Sequence, residues 1–314
     1  MYEFTRLDSA KVHDVAKWAD ELWVPARFVQ NSFRNSGVDS EKLKVLPESV
    51  DTHTYNPQTT KRHYFPPSHL TYECTQTPTA DAFNFLSDFK WEPRKGWDVL
   101  IDAYYGEFTA ADSVTLYIVT HIWFSGGPET YGWPFNITQL LQFVKDHVST
   151  RPELRNRKDL PTLCIVSQSL STLQIAQIYA SCDAFVFPTR GEGWGLPAIQ
   201  AMAMAKATIA TNWGGNTQFM NSKNSFLIQV DGVEEVPLDS VYGWSPGKKW
   251  ALPSVSHTSQ LMRYVTVNRL HAMAVGKQAR EDVVRYYSEE KVAEHIHRRL
   301  LEIRILVEEK RRMK

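Results

Sequence analysis

Cysteine is scarce: Cys74, Cys164 and Cys182 are the only three in 314 residues, and they stand far apart. Such spacing offers neither a disulfide framework nor a zinc site, and it suits a reducing compartment. Charge of one sign is lacking too. The 35 Lys and Arg balance the 35 Asp and Glu, which removes the electrostatic argument for nucleic acid or an anionic membrane as partner. No run of about 18 apolar residues is present to cross a bilayer, and Met1-Tyr2-Glu3-Phe4 is not the basic-then-apolar opening of a secretory signal. Repeats, low-complexity tracts, Asp-x-Asp triplets and closely spaced His/Cys/Asp/Glu sets are missing, so no metal site is expected. His295 and His297 stand two apart on an expected helix and do not share a face. The expectation is a cytoplasmic globular protein without metal or cofactor.

What the chain has is alternation. Residues 1–50 read as helix, strand, helix, strand over 10–19, 21–24, 26–35 and 43–46, which is too little for an independent domain. Residues 51–72 have no periodicity and hold Pro57, Pro66 and Pro67, so they read as a linker. A second unit runs over 73–314. Strands near 82–86, 114–119, 164–166, 184–187, 208–210 and 226–230 alternate with helices near 97–108, 137–148 and 173–180 and one from Leu196. That order implies an α/β fold with a doubly wound, mostly parallel sheet. An aromatic loop carries Trp123, Phe124, Tyr131 and Trp133, and another loop holds Pro237, Gly243 and Pro246. Two or three helices finish the chain, the last over about 289–311, with Ile296, Leu300, Ile303 and Val307 on a stripe facing the core.

Three loops at the carboxyl ends of expected strands carry chemistry, and in an open α/β sheet those ends line one ligand crevice. The first holds Lys90, Arg94, Lys95 and Gly96 beside a helix start. The second is Arg190-Gly191-Glu192-Gly193-Trp194-Gly195, which runs into a helix with Pro197 in its first turn. The third is Asn212-Trp213-Gly214-Gly215. Glycines let backbone approach a ligand, and a helix N-terminus presents free N–H groups to an anion. Glu192 is the only acid of the second loop.

Three motifs resemble the nucleotide-sugar-binding half of the GT-B-fold glycosyltransferases, specifically family 4 of the retaining enzymes. They are Phe85-Leu86-Ser87-Asp88-Phe89-Lys90-x4-Lys95-Gly96, the run from Tyr179 through Gly191-Glu192-Gly193-Trp194-Gly195 to Gln200-Ala201-Met202-Ala203, and Thr208-Ile209-Ala210-Thr211-Asn212-Trp213-Gly214-Gly215. The resemblance covers about residues 15–310. It implies a Rossmann-like C-terminal half with closing helices, preceded by a short βα remnant of the N-terminal acceptor domain. It also implies hexose transfer from a nucleotide sugar with retention of configuration to an unidentified glycan, lipid or protein acceptor, without a metal. By the same resemblance Lys95 and Lys90 bind the donor diphosphate. Glu192 and the amides of Gly193, Trp194 and Gly195 hold the sugar hydroxyls and distal phosphate, with Gly191 and Arg190 beside them. Gln200 meets the ribose, and the backbone of Ile165, Val166 and Ser167 faces the base.

The chain departs from the family pattern in two places. Gln200 stands where the second glutamate of E-x7-E is usual, and Gln218 where a G-G-x-x-E acid is common. Exchanging a charged for a neutral acceptor loses about 1 kcal/mol, about five- to tenfold in affinity. The other departure is the short front, which resembles only the last elements of an acceptor domain. Both departures leave open an alternative, a non-catalytic nucleotide-sugar-binding or interaction module.

Overall fold

The computed structural model describes residues 9–61, 72–120, 136–236 and 247–313. Its elements are α1 (Ser9–Trp18), β1 (Leu22–Val24), α2 (Arg27–Asn35), β2 (Leu43–Val45), β3 (Tyr72–Cys74), β4 (Phe83–Asp88), α3 (Trp97–Glu107), β5 (Val114–Val119), α4 (Ile137–Thr150), β6 (Thr162–Val166), α5 (Thr172–Ser181), β7 (Ala184–Phe187), α6 (Leu196–Ala203) and β8 (Ala207–Thr211). They continue as β9 (Phe226–Ile228), β10 (Val230–Glu235), β11 (Lys249–Pro253), α7 (Val255–Val267), α8 (Arg269–Tyr287) and α9 (Glu289–Arg312). The seven-stranded main sheet has the order β3-β6-β5-β4-β7-β8-β9. All its pairings are parallel except that of edge strand β3 with β6.

Burial on both faces explains the composition of the central strands. Phe85, Leu116, Ile118, Phe185 and Val186 are fully buried, as parallel strands covered by helices on two sides require. The chain builds outward from β4 through β5 to β6, then returns to β4's other side with β7. That reversal is a topological switch point, and it opens a crevice beyond the carboxyl ends of β4 and β7.

The expected front exists as a separate small sheet in which β1 and β2 pair in parallel. Residues 52–55 are held against α8. Tyr55 is buried, and Arg280 donates to the carbonyls of Thr52 and Tyr55 at 3.0 and 2.6 Å, so this stretch is anchored. At the far end of residues 51–72, Tyr72 begins β3; residues 62–71 lie outside the described set. The aromatic cluster at 123–133 and Pro237, Gly243 and Pro246 lie outside it as well.

The cysteine expectation is overturned. Antiparallel pairing sets Cys74 directly opposite Cys164 with the Cα atoms 4.0 Å apart, and the two form a disulfide; Cys182 is buried and takes no part in it. Sequence spacing hides this because register brings together residues 90 apart. Disulfides persist in oxidising surroundings, so the cysteine content gives no support to a reducing compartment. No helix among the described residues is long and apolar enough to cross a membrane.

The closing helices number three, α7 to α9. The stripe expected to face the core is covered only in part: Ile296 and Ile303 are half-buried, while Leu300 and Val307 are exposed, as are Leu301, Ile305 and Leu306. Helix α7 is fastened to the end of α3 by Arg263, which donates to Glu107 at 2.8 Å and Asp112 at 2.6 Å and lies over the Phe108 ring. The Arg263 hydrogen bond holds the Asp112 carboxyl down at about 2 against an ordinary 3.8. A depressed carboxyl stabilises the fold above its unfolded pKa. The contribution is therefore complete above about pH 4 and is lost as pH falls towards about 2. Urea midpoints measured over that range should fall less steeply for Asp112→Asn than for the wild type. Parallel profiles would show that the contact contributes nothing.

Candidate functional site

Glycine lets the three loops lie backbone on backbone at the mouth of the crevice. Gly96 caps α3 in the left-handed region at φ +67°, and a Cβ there would stand 2.0 Å from Pro188 O. Arg190 N–H donates to Arg94 O at 2.7 Å, pinning the basic loop to the loop after β7. Gly215 N–H donates to Glu192 O at 2.7 Å, and a Cβ on Gly215 would lie 1.9 Å from Gly193 O. The loop after β8 therefore supports the glycine loop from below.

At this junction Glu192 is buried, and its Oε1 receives three donors. They are Lys95 Nζ at 2.7 Å, Thr189 Oγ1 at 2.9 Å and an Arg94 Nη at 3.1 Å. Oε2 has no partner among the described residues. Arg94 also donates to Gly191 O at 2.6 Å and to Glu92 at 2.6 Å. Lys95 Nζ lies 5.3 Å from the centre of the Phe187 ring, which fixes its stem. Lys90 is more open, its side chain 37% exposed and 3.8 Å from Glu92. Gly195 precedes α6 with φ +100°. The N–H groups of Gly193, Trp194 and Gly195 have no backbone acceptor among the described residues. A cluster of buried charge beside free amides at a helix start is the arrangement that accepts an anion.

The carbon framework behind these loops is what a family comparison detects. Residues 81–236 match the family model described as glycosyl transferases group 1. That stretch, just under half of the chain, is similar to a glycosyl transferases group 1 domain. No curated protein matches it in sequence. Among solved structures, Anabaena HepE in complex with UDP-glucose is 16% identical with a TM-score of 0.64, over 94% of this chain and 68% of that one. A glycosyltransferase from Rickettsia africae is 17% identical with a TM-score of 0.62, over 95% and 67%. Sucrose-phosphate synthase from Thermosynechococcus elongatus is 15% identical with a TM-score of 0.63, over 95% and 63%. At such identities the likeness is one of fold, and it gives the α/β architecture of the GT-B glycosyltransferases.

Within the matched stretch the structure gathers Glu192, Lys95, Gly191, Gly193, Trp194 and Gly195 at one spot, with Lys90 at its rim. Gln200 lies one turn into α6, half-buried. Ile165 and Val166 end β6, two strands from β4, and Ser167 follows them. Gln218 is occupied elsewhere: its Oε1 accepts the Arg27 N–H at 3.1 Å, joining α2 to the loop after β8.

Arg190 turns away from the cluster. Its guanidinium grips Asp98 through two bonds of 2.8 and 2.7 Å, donates to Pro93 O at 2.8 Å and reaches Glu234 at 3.3 Å. Burial works to raise the Asp98 carboxyl, but the Arg190 hydrogen bonds and charge outweigh it and hold the group below the usual carboxylate range. Sequence reasoning gave Arg94 no role beyond a basic loop, although it is the second cation on Glu192. Its one local signal is the neighbouring Glu92. Lys90, Arg94, Lys95 and Arg190 face Glu92, Asp98, Glu192 and Glu234, so the cluster is charge-balanced.

Proposed function

We propose that this chain binds a nucleotide sugar and serves a retaining glycosyltransferase that moves a hexose to a glycan, lipid or protein acceptor. The observation that supports the reading is the meeting of Glu192, Lys95 and the unpaired amides of 193–195 at the switch point. An incoming diphosphate competes with Glu192 for Lys95 and gains Lys90 and the α6 amides, preorganised donors that stabilise the leaving group as the bond between sugar and diphosphate breaks. Glu192 Oε2 accepts from a sugar hydroxyl. Gln200 meets the ribose, and the backbone of 165–167 lies towards the base. This chemistry is metal-independent, since lysines and a helix N-terminus supply the positive field.

Calorimetric titration with UDP-, GDP- and ADP-sugars tests the reading. One of them should bind saturably, and Glu192→Ala or Lys95→Ala should weaken it by well over tenfold. A buried charge-assisted hydrogen bond is worth about 1.5–3 kcal/mol, and each change also leaves a charge unpaired. Equal affinity in both variants would sink the assignment. Gln200 and Gln218, each standing where an acid is usual in the family this chain resembles, favour a second reading as a non-catalytic binding module. That reading predicts the same binding with no product anomer detectable by NMR.

A further inference from the structure

Between β9 and α7, strands β10 and β11 pair antiparallel from Val230–Pro253 to Glu235–Lys249. The pair sits against the donor loop, with Ala251 N–H donating to Arg190 O at 2.9 Å. Glu234 accepts from Arg190 Nε at 3.3 Å and from Trp250 Nε1 at 2.9 Å. The Trp250 ring is buried and lies 5.7 Å from the guanidinium. Val236 and Trp250 form a small apolar cluster with Trp213, which meets Phe28 of α2 edge-on at 4.5 Å. Arg190 thus stands between the start of α3, the donor loop and the β10–β11 pair, with its side chain only 9% exposed.

We propose that Arg190 is a positioning residue, not a donor ligand, and that the β10–β11 pair is a fixed wall of the donor crevice held there by the Asp98–Arg190–Glu234 bridge. The proposal rests on the nucleotide-sugar reading. Four of the five guanidinium N–H groups are engaged by protein acceptors, so a phosphate could take at most the fifth without breaking the bridge. The bridge sets the backbone of Arg190, and Gly191 and Glu192 follow directly. Lysine keeps the charge but cannot hold a bidentate carboxylate and a second acid in one plane.

The test uses the full chain, wild type, Arg190→Lys and Glu234→Gln, titrated with UDP, GDP and ADP. A 5-fluorotryptophan label, assigned with Trp250→Phe, reports on the wall by fluorine NMR. Arg190→Lys should weaken the nucleotide at least tenfold, and Glu234→Gln, a half-exposed change that leaves the core intact, about three- to fivefold. The Trp250 resonance should move when nucleotide is added to the wild type and should stay put in Arg190→Lys at the same saturation. A change in stability alone would not produce that difference in signal. Wild-type affinity in both variants, or a Trp250 resonance indifferent to bound nucleotide in the wild type, overturns the positioning role and leaves the donor reading standing. Failure of the wild type to bind any of the three nucleotides removes the donor reading, and this inference with it.

Discussion

Gly215→Ala is expected to weaken nucleotide binding about a hundredfold while leaving a folded chain. The new Cβ would stand 1.9 Å from Gly193 O, 2.3 Å from Gly193 C and 2.8 Å from Trp194 N. All three are backbone atoms, so no side-chain rotation relieves the contact. One of the two loops has to retreat by more than an ångström, and the Gly215 N–H bond to Glu192 O resists that retreat. The displaced atoms are the amides proposed to meet the distal phosphate. Losing one or two amide bonds to a charged phosphate, each worth about 1.5–3 kcal/mol, accounts for about a hundredfold. Gly96→Ala pushes the same loop from the opposite side, against Pro188 O, and carries the added strain of φ +67°. Calorimetric affinity, read beside the melting temperature, checks both. Binding within threefold of wild type in Gly215→Ala would show that the loop does not hold the nucleotide.

Reducing the Cys74–Cys164 bond is expected to cost about 2–5 kcal/mol of unfolding free energy, the range for removing a native crosslink. The closed loop is long, with a sequence separation of 90, and encloses β4, β5, α3 and α4. Opening it restores freedom mainly to the unfolded chain, and it also frees β3, an edge strand of three residues that contributes little of its own. Urea unfolding with and without reductant measures the difference. Denatured without reductant, the chain should offer one reactive thiol, that of Cys182. Three thiols would show that the crosslink is absent, and equal midpoints would show that it stabilises nothing.

The parts of the fold legible in the sequence were those whose signal is local. Strands β4, β5, β7 and β8 are buried on both faces, and their apolar runs announce them. The glycine loop and Pro197 mark the helix start that follows β7. The parts that were not legible depend on pairing at a distance. β3 is three residues long and is defined by its partner β6. β10 reads Val-Asp-Gly-Val-Glu-Glu, mostly exposed and acidic, and becomes a strand only because β11 lies beside it. The candidate site residues follow the same division. Loop composition singles out Glu192 as the one acid of its loop and the family resemblance singles out Lys95, whereas the partners of Arg190 lie 92 residues earlier and 44 later and leave no local signal.

Helices α8 and α9 hold the front of the chain. Val50 bridges to Ser288, Arg280 holds the carbonyls of Thr52 and Tyr55, and Arg299 is paired with Glu21. Residues 21–55 thus combine the local β1–β2 pairing with partners 225 to 278 residues further along the chain. Contacts so distant in sequence are slow to close, so the docking of this segment onto α8 and α9 is expected among the late steps of folding.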